Sequence, residues 1–255
     1  MKVVGLISGG KDSIYNLYRC KEEGHEIVCL ANLKPKTETE TDSYMYQSVG
    51  HECIETIARV MQLPLYRRII EGGSCQIGDK YIIDKNDEVE DLFILLKAIK
   101  EAFPNVQGVS VGAIASTYQK TRVENVCQRL ELTPLCYLWD ANQGELLQEM
   151  LNNKIDAITV KIACFGLKHQ HVGTHLKDLQ PLLIILHEKY GVHICGEGGE
   201  YETLVLNCPL YHEALKIKNV KTTVLTEDKT APVVILCVDL EEPTIPVIQN
   251  QVTYV

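Results

Sequence analysis

The residues Val3-Val4-Gly5-Leu6-Ile7, followed at once by Ser8-Gly9-Gly10-Lys11-Asp12-Ser13 and then by Ile14-Tyr15-Asn16-Leu17-Tyr18-Arg19-Cys20, set the fold class. The first five form a short apolar run of the kind that makes a buried strand. From Asp12 to Glu23, Ile14, Leu17, Tyr18 and Cys20 recur at helical spacing, and Gly24 supplies the stop. Strand, glycine-rich turn and helix make a phosphate cradle, because glycines admit an anion close to backbone N–H groups and the helix N-terminus adds positive potential. Lys11 adds a charge, and Ser8 and Ser13 add hydroxyls. Asp12 repels a bare phosphate, so it is read either as a helix cap or as a ligand recruiting Mg²⁺. A Walker A loop has the spacing Gly5-x4-Gly10-Lys11, but it needs a hydroxyl where Asp12 stands, and Gly5 falls inside the strand.

Outward from this loop, strand and helix patterns alternate. Strands are expected at Ile27–Leu33, Leu65–Ile70 and Val109–Val111. Helices are expected where Val49, Cys53, Ile57 and Val60 recur, and where Val89, Leu92, Phe93, Leu96, Ile99 and Phe103 recur. This is an α/β pattern predicting a doubly wound parallel sheet, with ligands beyond the strand C-termini. A second, smaller α/β domain is expected: helices over 122–130, 144–152 and 179–190, strands at Ala157–Ile162 and Val192–Cys195, and two β-like runs at 222–225 and 233–238. The division is drawn as 1–132 for the nucleotide domain and 133–255 for the substrate domain. Residues 34–43 read as a loop.

The chain has 255 residues and a net charge of -9. An acidic protein is poorly suited to tracking a phosphate backbone, so no nucleic acid partner is expected. Arg67-Arg68 and Lys216, Lys218 and Lys221 read as solvated charge. No run approaches the roughly 20 apolar residues of a membrane span. The ten cysteines include no C-x-x-C pair and mostly sit in apolar runs. They read as small buried hydrophobes in a reducing cytoplasm, not as disulfides or a zinc site.

Two further stretches carry chemistry. Gly196-Glu197-Gly198-Gly199-Glu200-Tyr201-Glu202-Thr203 crowds three carboxylates into six residues, which raise one another's pKa unless a cation is near. It is either a solvated acidic turn or a cation site, and Tyr201 among carboxylates suits a quaternary ammonium. Gly112 to Glu124 follows the fourth strand on the ligand side. There Ser116, Gln119 and Arg122 are candidates to meet a nucleotide or an oxyanion, or Arg122 and Glu124 form a structural ion pair.

Ser8-Gly9-Gly10-Lys11-Asp12-Ser13 after an N-terminal strand resembles the PP-loop of the N-type ATP pyrophosphatases. Three further stretches sharpen the likeness. They are Asp42-Ser43-Tyr44-Met45-Tyr46-Gln47, the run Ser110–Ile114 with Tyr118-Gln119 and Arg122–Cys127, and Cys195–Thr203. Together, from residue 1 to about 212, they are similar to the diphthine–ammonia ligase family. The Glu-Gly-Gly-Glu-Tyr-Glu-Thr run is the most specific part. Lys168-His169-Gln170-His171 departs from the family's more acidic loop, and its histidines are expected at the surface.

The resemblance implies ATP and Mg²⁺ as cofactors and a reaction splitting ATP between its α- and β-phosphates. It implies that ammonia amidates diphthine on elongation factor 2 through an acyl adenylate. In that reading Ser8, Gly9, Gly10, Lys11, Asp12 and Ser13 hold the nucleotide, with Asp12 on the metal. Lys11, Asp12, Ser116 and Arg122 serve the chemistry. Tyr44, Gln119, Glu197, Gly199, Glu200, Tyr201, Glu202 and Thr203 serve the substrate, with Glu200 and Glu202 meeting the trimethylammonium and Tyr201 packing on it. Starting directly at the strand leaves no room for a glutaminase domain, so free ammonia is expected. The alternatives are a tRNA-thiolating PP-loop enzyme and a non-catalytic ATP sensor. The first calls for paired cysteines and a basic surface, and the second leaves Glu197–Thr203 without a purpose.

Overall fold

The first strand, β1 (Lys2–Leu6), buries its middle residues completely, as a central parallel strand must. In the computed structural model, which describes residues 1–36, 45–47, 49–76, 78, 80–249 and 251–255, β1 runs through Ile7–Gly10 into α1 (Lys11–Glu22). α1 buries Ile14, Leu17 and Cys20, and the chain reverses at Gly24, whose φ of 79° suits a residue without Cβ. Next come β2 (Glu26–Lys34), α2 (Ile54–Met61), β3 (Leu65–Ile69), α3 (Glu88–Ala102), β4 (Val106–Ser110), α4 (Thr117–Arg129) and β5 (Thr133–Leu135). After these follow α5 (Gln143–Asn152), β6 (Asp156–Ile162), α6 (Leu176–Tyr190), β7 (Tyr201–Asn207), β8 (Ile217–Thr226), β9 (Val233–Leu240) and β10 (Val252–Tyr254).

The larger sheet has the order β10-β3-β2-β1-β4-β5, and every pair in it is parallel. The order steps one way from β1 to β2 and β3 and the other way to β4 and β5. The switch point therefore lies between β1 and β4, and a crevice opens at their C-terminal ends. α3 and α4 cover one face, where Leu92, Leu95, Leu96, Val123 and Val126 pack on Val4, Cys29 and Val109. α1 and α2 cover the other face.

The second sheet is antiparallel, with order β7-β6-β9-β8. Its apolar side joins α1, α2, α5 and α6 in one continuous core. The second sheet thus lies over the helices of the first, and β7 is brought against the start of α1. The tail runs become β8 and β9, which pair with each other, and β9 continues onto β6.

Three expectations are corrected. Val192–Cys195 is not a strand. Its polar groups bond to side chains instead of a ladder: the Ile194 amide donates to Gln143 Oε1 (2.5 Å), and the Ile194 carbonyl accepts from the Tyr201 hydroxyl (2.7 Å). The strand begins only at Tyr201, beyond the acidic run. Arg67 and Arg68 are not solvated. Arg67 is fully buried on Glu55 (3.0 Å), Asn32 and the His51 carbonyl, and Arg68 pairs with Asp91 at 2.8 Å. Cys237 is exposed, whereas Cys20, Cys29, Cys53, Cys127, Cys164 and Cys195 are buried free thiols as expected. The histidine-bearing turn at 169–171 lies at the surface.

Candidate active site

A cleft of about 870 Å³ opens at the switch point. One wall is built from the ends of β1, β2 and β4 and the start of α4. The other is built from β6, β7 and residues 196–199. A cleft of this size falls in the range of small-ligand sites. Of the glycine-rich loop, Ser8, Lys11, Asp12 and Ser13 line it.

The loop is held by its own hydroxyls and by β7. Ser13 Oγ accepts from the Ser8 amide (3.1 Å) and donates to the Gly10 carbonyl (3.0 Å). Thr203 Oγ1 accepts from the Lys11 amide at 3.0 Å, and the Gly9 carbonyl accepts from Val205 N at 3.0 Å. Gly9 sits at φ 86°, and a Cβ there would lie 3.2 Å from Ile54 and Ile57, so only glycine suits the turn. The first-turn amides of Asp12 and Ser13 have no partner among the described residues. These are the donors that a helix N-terminus presents to an anion.

Lys11 is nearly fully buried. Two of its three donors are used within the protein, on Asp12 Oδ2 (2.8 Å) and the Cys195 carbonyl (2.5 Å). Its ammonium lies 4.9 Å from the centre of the Tyr201 ring. Burial disfavours the charged form, yet Asp12 above all outweighs this and keeps Lys11 protonated beyond the ordinary lysine range. Burial also pushes the Asp12 carboxyl up, against the pull of Lys11. Asp12 Oδ1 is buried without a partner among the described residues, which leaves an acceptor suited to a cation. The same burial drives the Cys195 thiol up to about 12, so it is no nucleophile near neutrality.

The second cluster divides in three. Glu197 lines the cleft, but its Oε1 accepts from the amides of Ile114 (3.0 Å) and Ala115 (3.3 Å), tying this segment to the loop after β4. Glu200 stands outside the cleft lining, where its carboxylate accepts from the His193 amide at 2.6 Å. Glu202 lines the cleft, 3.3 Å from Lys161 of β6. Gly199 also lines it, at φ 78° and with open space around its Cα. Tyr201 is buried against Lys11, so its ring face meets that ammonium.

From the third stretch, Ser116 and Gln119 reach the cleft. Ser116 is the N-cap of α4, its Oγ accepting from the Gln119 amide (3.3 Å), while Gln119 Nε2 donates to the Met45 carbonyl (3.2 Å). Arg122 lies behind the wall, fully buried. Its guanidinium is stacked 3.3 Å from the Tyr118 ring centre and bonded to the carbonyls of Tyr118, Gln76 and Gly78. It supports the wall and does not line the cleft, and no ion pair joins it to Glu124. Tyr44 lies outside the described residues.

Three contributors had no role assigned from the sequence, where Gln47 and Gly112 stood only as members of longer stretches and Lys161 was not singled out. Gln47 accepts from Ser8 Oγ at 3.3 Å and donates to the Thr203 carbonyl at 3.1 Å, joining loop to strand. Gly112 lets the loop after β4 touch the backbone of α1: a Cβ there would lie 2.7 Å from Asp12 C and Ser13 N. Lys161 brings a cation into the cleft. Its signal was a single lysine interrupting the apolar run of β6.

A glycine-rich loop and a helix N-terminus at the switch point of a parallel sheet, beside the carboxylate of Asp12, define a phosphate-binding protein of the doubly wound α/β class. Two family models divide the chain: one described as the diphthamide synthase N-terminal domain matches residues 1–134, and one described as the diphthamide synthase C-terminal domain matches 142–229. The chain belongs to the diphthamide synthase family. Relatives named diphthine–ammonia ligase are 54% identical over 237 residues in Danio rerio, covering 91% of this chain and 92% of that protein. Those of Rattus norvegicus and Homo sapiens are 52% and 51% identical over 241 residues, each covering 92% of this chain and 90% of the relative. A solved structure titled as a predicted subunit of tRNA methyltransferase from Methanocaldococcus jannaschii is more distant. It covers 82% of this chain and 98% of its own at 14% identity and a TM-score of 0.33. Among the described residues no helix is long and apolar enough to cross a membrane, and no group of three or more His, Cys, Asp or Glu is placed to hold a metal.

Proposed function

We propose that this protein, a C–N bond-forming ligase, amidates the carboxylate of diphthine on elongation factor 2 with ammonia, converting ATP to AMP and pyrophosphate in the cytoplasm. One observation carries the reading: the open amides of Asp12 and Ser13 share a single cleft with the Glu197–Thr203 wall. The wall from residues 1–132 receives the nucleotide, and the wall from residues 133–255 receives diphthine.

In the first step a carboxylate oxygen attacks the α-phosphorus, and the bond from that phosphorus to the oxygen bridging it to the β-phosphorus breaks. Pyrophosphate leaves with the electron pair, its charge met by the α1 N-terminus. In the second step the ammonia nitrogen attacks the acyl carbon, the bond to AMP breaks, and the nitrogen sheds a proton. Mg²⁺, when bound, neutralises phosphate charge. Asp12 is suited to hold it, because Mg²⁺ is commonly held by one or two carboxylates together with substrate phosphates. Lys11 and Thr203 keep the loop in register with the substrate wall.

The test supplies ATP, Mg²⁺, ammonium and elongation factor 2 with or without diphthine. Pyrophosphate release that requires the diphthine-bearing factor is expected. Release at the same rate without it contradicts the proposal.

A further inference from the structure

Lys11 and Lys161 are the cations that line the cleft among the described residues, and Lys11 belongs to the glycine-rich loop, bonded to Asp12 and to the Cys195 carbonyl as Lys161 is paired with Glu202. Lys161 is on the other wall. It stands opposite Glu202 in the β6–β7 register, 3.3 Å from Oε1, with both side chains only 15% exposed. The cleft therefore presents a positive and a negative group side by side in a place of reduced solvation. A polyphosphate brought to Lys161 would meet the Glu202 carboxylate at nearly the same distance, and the two effects oppose each other. A zwitterion fits both members at once, its carboxylate on Lys161 and its quaternary ammonium on Glu202.

We propose that Lys161 is the specificity-determining residue that binds the substrate carboxylate to be activated, and that with Glu202 it selects a side chain bearing both a carboxylate and a trimethylammonium group. The assignment rests on the function proposed above and adds to it the residue that recognises the reacting group. One carboxylate oxygen is held by the Lys161 ammonium while the other faces the nucleotide wall.

The test measures KM for the diphthine-bearing factor and for ATP in Lys161→Met and Lys161→Arg. Lys161→Met is expected to raise KM for the factor roughly 10- to 100-fold, the worth of a hydrogen bond to a charged group, and to leave KM for ATP unchanged. Lys161→Arg, which keeps the charge, recovers part of the loss. A rise in KM for ATP with the factor's KM unchanged assigns Lys161 to phosphate and overturns the proposal, as does no change in either.

A check independent of variant folding uses the wild-type protein and two small competitors, glycine betaine and tetramethylammonium. Betaine, which carries both charges, must inhibit at lower concentration; betaine no better than tetramethylammonium overturns the assignment. Wild-type turnover separates the two levels. If the wild type does not process the diphthine-bearing factor, the proposed function falls. If it does and Lys161→Met keeps its KM, only the role of Lys161 falls.

Discussion

At the scale of single residues, the site depends on atoms that are absent as much as on those present. Gly112 lies so close to the start of α1 that a Cβ would stand 2.7 Å from Asp12 C and Ser13 N, and these are backbone atoms that cannot rotate away. Gly112→Ala is expected to push the helix N-terminus out of line and lower pyrophosphate release about 100-fold, the penalty of misplacing a reacting group by an ångström. Circular dichroism should show the helix content retained, so that the loss is one of alignment. An alanine variant with full activity would show that this contact does not position the loop. Gly112 was visible in the sequence as part of a run following a strand. Its role was not, because the partner backbone lies a hundred residues earlier and only the β1–β4 adjacency brings them together. The same limit applied to Glu200, Tyr201 and Glu202, read as one cluster. Glu200 falls before the strand, Tyr201 packs on Lys11, and Glu202 reaches Lys161, because successive strand residues point to opposite faces.

At the scale of elements, α3 and α4 are joined by a two-pronged ion pair behind the site. Arg129 Nη1 and Nη2 lie 2.7 Å from Glu90 Oε1 and Oε2, and the guanidinium stacks 3.9 Å from the Phe93 ring centre. The hydrogen bond from Arg129 holds the Glu90 carboxyl below its ordinary value of 4.5. A carboxyl with a depressed folded-state pKa stabilises the fold fully above its unfolded value, and that stability is lost as pH falls through the folded one. Glu90→Gln is therefore expected to lose about 1 kcal/mol near pH 7, and the gap to wild type should close below pH 4.5. Urea titrations of both proteins across pH 3–7, read in about this range, would check it. A gap that stays constant with pH would assign the loss to packing. Most elements were legible because helices such as α3 repeat apolar residues at 3.6 spacing. Val192–Cys195 misled because a short apolar run reads alike whether a ladder or side chains satisfy its backbone, as Gln143 does here.

At the scale of the whole molecule, function follows from laying one sheet over the helices of another. The alternation through Val111 announced the parallel sheet and its switch point. Periodicity could not announce that β7 would be hydrogen-bonded to the phosphate loop, with Thr203 on Lys11 and Val205 on Gly9. Nor could it announce that three residues at the end of the chain, β10, would return to pair with β3 at the edge of the first sheet. A strand of three residues has no pattern of its own and is recruited by an available edge. The consequence is a cleft whose two walls are joined by hydrogen bonds from β7 to the glycine-rich loop, an arrangement suited to the proposed transfer between ATP and a carboxylate. In the proposed reaction the substrate carboxylate itself becomes adenylated. Elongation factor 2 whose diphthine carboxylate carries ¹⁸O, incubated with the protein, ATP, Mg²⁺ and ammonium, tests it most directly by mass spectrometry of the products. ¹⁸O is expected in AMP and none in pyrophosphate; ADP formation, or ¹⁸O in phosphate or pyrophosphate with unlabelled AMP, would overturn adenylation of the carboxylate.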